Sequence, residues 1–117
     1  SALSNGECYS IGYGGSVIYD TLRVERLLNY PNPVADKGTY FVFGLTKPAS
    51  VKIKIYTLSG ILVKTLYHNG VAGYNEVYWD GLDDNDNRLG NGVYIYKLIA
   101  DDGNERTTEV GRLAILQ

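Results

Sequence analysis

Sulfur is almost absent from this chain: among its 117 residues there is one Cys, Cys8, and no Met. No disulfide can close within it, so Cys8 serves either an interchain bridge or no bond at all. Stability must then come from an apolar core, and a chain of this length can bury about two-thirds of its unfolded surface. A second domain has no room. One His and no Met leave a thin inventory for metal or acid–base chemistry near neutral pH, and no cofactor is expected. An excess of charge of either sign is lacking: Lys and Arg number 11, Asp and Glu 13, and the net charge is -2. That balance offers no basic field to a phosphate backbone, so nucleic acid is not an expected partner. No apolar run approaches the roughly 20 residues of a membrane helix, so membrane insertion is not expected. The opening SALSNGECYS lacks the charged and apolar regions of a signal peptide, and any export signal of a larger parent is expected outside this sequence.

What the chain has in quantity is Gly (14) and Tyr (11), with Val, Ile and Thr in patterns of period two. These argue for strands separated by tight turns. In Val51-Lys52-Ile53-Lys54-Ile55-Tyr56, the apolar residues face a core and the lysines face solvent. Thr39 to Leu45 places Phe41, Phe43 and Leu45 on one face, and Lys47-Pro48-Ala49 follows as a turn. Ile61 to Tyr67 returns as a hairpin partner after Ser59-Gly60. Asn69-Gly70 and Ala72-Gly73 punctuate the approach to a strand at about Asn75 to Trp79. Asp80-Gly81 turns the chain out, residues 83–87 form a polar loop, and strands follow at Gly92 to Ala100 and Glu105 to Leu116, joined by Asp101-Asp102-Gly103-Asn104. With Ser16 to Val24 added there are about seven strands, which predicts an all-β, immunoglobulin-like antiparallel β-sandwich over residues 16–117. Residues 1–15, small, polar and Gly-rich, read as a linker or the tail of a preceding domain.

Gly92-Val93-Tyr94-Ile95-Tyr96 has the spacing of a tyrosine corner, with Tyr94 bonding back to loop backbone and Tyr96 where antibody domains carry a cysteine. Tyr30-Pro31-Asn32-Pro33 makes a stiff, extended entry into the first core strand, because two prolines hold φ and restrict the residues before them. Trp79 anchors the core, and Asp80-Gly81 forms a side-chain-capped turn.

From Asn29 onward the succession Tyr30-Pro31-Asn32-Pro33, Val51 to Gly60, Ala72-Gly73-Tyr74-Asn75, Trp79-Asp80-Gly81 and Gly92 to Tyr96 resembles the immunoglobulin-like domain of the flagellar hook-capping protein and the related C-terminal sorting domains of type IX (Por) secretion cargo. The resemblance implies a module at the end of a larger exported protein, where it directs the parent across the outer membrane. It also implies that Gly111-Arg112-Leu113-Ala114-Ile115-Leu116 carries recognition, with Arg112 as the basic residue leading a short hydrophobic run; a second basic residue at the end is missing. The Trp79-Asp80-Gly81 form is closer to the hook-capping type, a scaffold during assembly.

Other residues invite chemistry. Asp83, Asp84 and Asp86 are oxygen ligands on one loop, yet counted from Asp84 the sixth and twelfth positions of a calcium loop are Leu89 and Ile95, so a solvated loop competes with a weak calcium site. His68 is a general base only with a nucleophile and an orienting carboxylate, and otherwise a surface residue in the turn at Asn69-Gly70. Asp101 and Asp102 are turn residues rather than a glycosidase pair, since no cleft there would raise one pKa. The tyrosines are core and corner residues or a platform for sugar rings, although no three are spaced along the sequence as a flat outward strip.

The expected function is a non-catalytic sorting and attachment module of a secreted or surface-exposed bacterial protein. Its expected partners are the secretion or attachment machinery and the preceding domains of the parent. A structural spacer or assembly scaffold of the hook-capping type is the alternative, and a carbohydrate-binding module is third.

Overall fold

A computed structural model of the chain describes residues 21–117 and the backbone of two short strands near its start, β1 (Ala2–Leu3) and β2 (Gly6–Glu7). Cys8, the rest of the expected linker and residues 16–20 of the expected first strand lie outside the described residues. Seven longer strands follow: β3 (Val24–Ala35), β4 (Gly38–Leu45), β5 (Ala49–Thr57), β6 (Leu62–Gly70), β7 (Gly73–Trp79), β8 (Gly92–Asp101) and β9 (Arg106–Ile115). No helix occurs among the described residues.

The strands lie in the order β6-β5-β8-β9-β3-β4-β7. Three of them, β3, β4 and β7, make one layer, and β6, β5, β8 and β9 make the other. β3 belongs to both. It pairs antiparallel with β4 and then, at Val34 opposite Ile115, parallel with β9, so the two expected layers are one hydrogen-bonded sheet folded over on itself.

Alternation along the strands fills the space between the layers, as period-two side chains require. Phe41, Phe43, Leu45, Val77 and Trp79 of one layer meet Val51, Ile53, Ile55, Leu98, Leu113 and Ile115 of the other, all buried. The rings of Phe41 and Tyr96 touch edge to face across the layers at 4.9 Å. Fully burying each large apolar side chain contributes about 1.5–3 kcal/mol. Tyr94 and Tyr96 are buried while Val93 is exposed, so β8 turns its tyrosines inward.

Two boundaries differ from expectation. The first long strand begins at Val24 and runs through both prolines, whereas Thr21 to Arg23 carries no strand. Proline cannot donate to a ladder and is confined to edges, bulges and irregular positions. Here the register with β4 breaks between Tyr30 and Ala35, so the missing N–H groups fall where β3 leaves β4 for β9. Both X–Pro bonds, Tyr30–Pro31 and Asn32–Pro33, are cis. A second break lies between Glu25 and Leu28, with Arg26 at φ 55°, the left-handed conformation of a β-bulge.

β6 does not stop at Asn69-Gly70. It runs to Gly70, and the turn lies at Val71-Ala72, with Gly73 at φ 98°. The buried side chain of Asn75 holds this turn: its Oδ1 accepts the Val71 N–H at 2.9 Å, and its Nδ2 donates to the carbonyls of Val71 (2.9 Å) and Gly73 (3.1 Å). Gly70 is a close-packing position, since a Cβ there would overlap Leu45 and approach the Ala49 carbonyl. Gly70→Ala is therefore expected to destabilise the domain by about 1–3 kcal/mol in urea unfolding, as overpacked sites do. Asn69→Ala, at an exposed site, should change stability by less than about 0.5 kcal/mol.

Candidate functional site

Motifs far apart in sequence converge at one end of the sandwich, around buried Val34. The side chain of Asn32 accepts the Ala114 N–H at 3.0 Å, and the Val34 carbonyl accepts the Leu116 N–H at 2.9 Å. Asn91 adds two bonds: its Nδ2 donates to the Gln117 carbonyl at 3.1 Å and its Oδ1 accepts the Gln117 N–H at 3.0 Å. The segment after Arg112 is thus held on one side by the Tyr30–Pro33 motif and on the other by the loop before β8. Gly81 lies against Val34, where a Cβ would stand 3.7 Å from Val34 Cγ1.

The supports of this end are themselves fixed. Tyr94 Oη donates to the Gly90 carbonyl at 2.8 Å, which is the tyrosine corner, and it braces the turn that carries Asn91 and Gly92. Trp79 is buried, its indole N–H bonded to the Leu82 carbonyl at 2.9 Å, while Asp80 Oδ1 accepts the Leu82 N–H at 3.0 Å and caps the turn at Gly81. Beneath Pro31, buried Thr39 donates its hydroxyl to the Pro31 carbonyl at 2.9 Å, and buried Asn29 lies beside both. Asn29, Thr39 and Asn75 escaped sequence reasoning because a short polar residue reads as solvated unless its burial is known, and Asn91 because its partner Gln117 is distant in sequence.

The last strand divides by pleat. Leu113 and Ile115 belong to the core, whereas Arg112 and Leu116 are exposed and Ala114 is half-buried. The ring of Tyr96 lies over Gly111, its partner in register on β9, and a Cβ at 111 would overlap that ring. Of the expected recognition run, Arg112, Ala114 and Leu116 are thus accessible, and Gly111, Leu113 and Ile115 hold the strand in place.

The remaining candidates are not brought together. Asp83 Oδ1 accepts the backbone N–H groups of Asn85 and Asn87, Asp84 faces Lys64, and no group of three or more His, Cys, Asp or Glu suited to a metal occurs among the described residues. His68 lies in β6 rather than in a turn, half-buried, with Nε2 3.1 Å from Asn75 Oδ1 and its ring edge-on to Phe43. Three tyrosines do align once strands are paired, contrary to the linear reading. Tyr30, Tyr40 and Tyr78 stand side by side across β3, β4 and β7, 72%, 43% and 49% exposed. The Tyr40 and Tyr78 rings are 5.1 Å apart and tilted by 54°.

Residues 31–104, more than half of the chain, match the family model of the FlgD Ig-like domain. No curated protein sequence matches the chain. Among solved structures, the chain is similar to dimeric latent PorU from Porphyromonas gingivalis, with a TM-score of 0.73 at 20% identity over 87% of this chain and 10% of that one. It is also similar to PorZ, described as an essential bacterial surface component of the type-IX secretion system of the same organism, with a TM-score of 0.54 at 22% identity over 78% of this chain and 11% of that one. The chain spans about a tenth of the length of each.

At the other end of the β8–β9 hairpin, Asp102 accepts the backbone N–H groups of Glu105 (2.7 Å) and Asn104 (2.8 Å), and Lys47 lies 3.1 Å away. These donors hold its pKa down to about 2, and the Gly103 N–H and Arg106 lower that of Asp101. Both shifts run opposite to the raised pKa that a general acid needs. A carboxylate whose folded pKa lies below its unfolded value contributes stability above the unfolded pKa and loses it as pH falls through the folded one. Denaturant midpoints should accordingly drop as pH falls from about 4 towards 2, and Asp102→Asn should flatten part of that decline relative to the unchanged protein.

Proposed function

Since this chain belongs to the FlgD Ig-like domain family, we propose that it serves as a non-catalytic C-terminal sorting and attachment module of a larger secreted or cell-surface bacterial protein. The observation that carries this reading is that a domain of this shape makes up about a tenth of both PorU and PorZ, the latter a surface component of a type IX secretion system. The module acts through its folded surface. Arg112 and Leu116, exposed at the end of the last strand and just beyond it, are the points that secretion or attachment machinery reads, and preceding domains of the parent are its cargo.

The clamp by Asn32, Val34 and Asn91 supports this reading, because it presents the end of the strand in a fixed position without using the side chains of Arg112 and Leu116. Deleting residues 112–117 would remove buried Leu113 and Ile115 and so confound recognition with folding. Single exposed side chains are the proper probes.

Two other readings have an observation each. Family membership favours a scaffold or spacer, in which the last strand has no export role. The row of Tyr30, Tyr40 and Tyr78 favours a glycan-binding face, since exposed rings with hydroxyl tips suit sugars.

The test fuses residues 1–117 to the C-terminus of a periplasmic fluorescent reporter in a host with the type IX machinery. The expected outcome is surface display of the reporter, reduced when Arg112→Gln and Leu116→Ser are combined while thermal unfolding of the domain is unchanged. Retention of a folded fusion in the periplasm would overturn the sorting role and leave the scaffold. Retardation of the free domain in polysaccharide gels, lost with Tyr30→Ala, would instead support the glycan face.

A further inference from the structure

The outer face of the four-stranded layer gathers cations that are scattered in the sequence. Lys52 and Lys54 alternate with core residues on β5 and point outward together. Lys54 stands directly opposite Lys97 of β8, and Lys97 stands opposite Val110 of β9, which makes Arg112, opposite Ile95, its diagonal neighbour. Side chains directly opposite on an antiparallel pair have Cβ atoms about 5 Å apart and diagonal ones about 7–8 Å, so the four form one unbroken stripe over three strands. None of the four makes an ion pair among the described residues. In the registered rows of this face the one acidic side chain is Asp101, and it is bonded to Arg106 at 3.2 Å.

Like charges placed directly opposite each other disfavour the pairing that holds them. The chain has more acidic than basic residues overall, so the stripe is a local concentration and not a reflection of net charge. The cations are interleaved with apolar side chains: Ile95 and Ile99 are half-buried between them, while Val110 beside Lys97 is 61% exposed and Tyr67 beside Lys52 is 74% exposed. A purely ionic polymer would leave these apolar groups in water. A folded protein surface with acidic side chains set among apolar ones would cover both.

We propose that this face is a docking surface for an acidic protein partner, with Lys52, Lys54, Lys97 and Arg112 supplying the charge and Val110 and Tyr67 the apolar contact. The inference holds for a sorting module and for a scaffold alike. It gives Arg112 a setting that its place in the sequence does not show, as the end of a stripe and not a lone basic residue. It also accounts for the Lys54–Lys97 opposition, which a partner's carboxylates would relieve.

The test measures binding of residues 1–117 to a fluorescent glutamate–tyrosine copolymer, with alginate and phosphatidylglycerol vesicles in parallel. The copolymer should bind, and its affinity should fall about tenfold between low and moderately high ionic strength, as exposed charge pairs are screened. Lys54→Gln with Lys97→Gln should weaken binding at least about fivefold, Val110→Ser should weaken it as well, and Arg88→Gln, a cation that faces Asp36 elsewhere, should leave it unchanged. In the unbound domain Lys97→Gln alone should raise the melting midpoint, because it removes the repulsion. Absence of copolymer binding, indifference to the double substitution, or alginate or vesicles bound as tightly as the copolymer would overturn the proposal.

Discussion

One crossing strand holds this domain together. β3 starts as an antiparallel partner of β4 and ends as a parallel partner of β9, and the transfer happens within five residues, Tyr30 to Val34. A strand changing sheets must give up ladder hydrogen bonds in transit, and buried backbone polar groups left unpaired are costly. Two prolines remove donors from that stretch outright, and the Pro31 carbonyl that is left accepts from Thr39. On the far side, Asn32 and Val34 supply the acceptors that Ala114 and Leu116 need. The motif is thus a hydrogen-bond exchange that closes one sandwich end.

Everything else at that end follows from the closure. Gly81 fits against Val34 because Asp80 and Trp79 fix its turn, and Asn91 reaches the chain end because Tyr94 braces the loop before β8. These contacts link segments separated by as many as 82 residues. They explain why motifs strung along the sequence belong to one small region, and why the end of the chain after Gly111 is held in place while Arg112, Ala114 and Leu116 remain accessible.

Seen this way, the two layers have different surfaces. The three-stranded layer carries an uncharged row of tyrosines, and the four-stranded layer a stripe of cations among aliphatic groups. The chemistry of each face selects a different class of contact. The end clamp keeps those faces in a constant relation to the strand proposed for recognition.

Much of this was legible in the sequence. Side chains on a strand alternate with period two, a purely local rule, so Val51, Ile53 and Ile55 could be turned inward and Lys52 and Lys54 outward from the letters alone. The tyrosine corner and the Asp80 cap are also local, each closing within a few residues. What tertiary structure decided is everything that depends on register between strands. Only pairing sets Lys54 against Lys97 and lines up Tyr30, Tyr40 and Tyr78, and only burial for Asn75 and two long-range bonds to Gln117 for Asn91 separate them from ordinary loop asparagines. Gly70 looked like a turn and is a packing position, because the feature that excludes a side chain there is Leu45, distant in sequence. Period and turn chemistry are written within a few neighbouring residues. Which strands meet, and in what register, depends on the whole chain, because a shift of one residue turns every side chain to the other face.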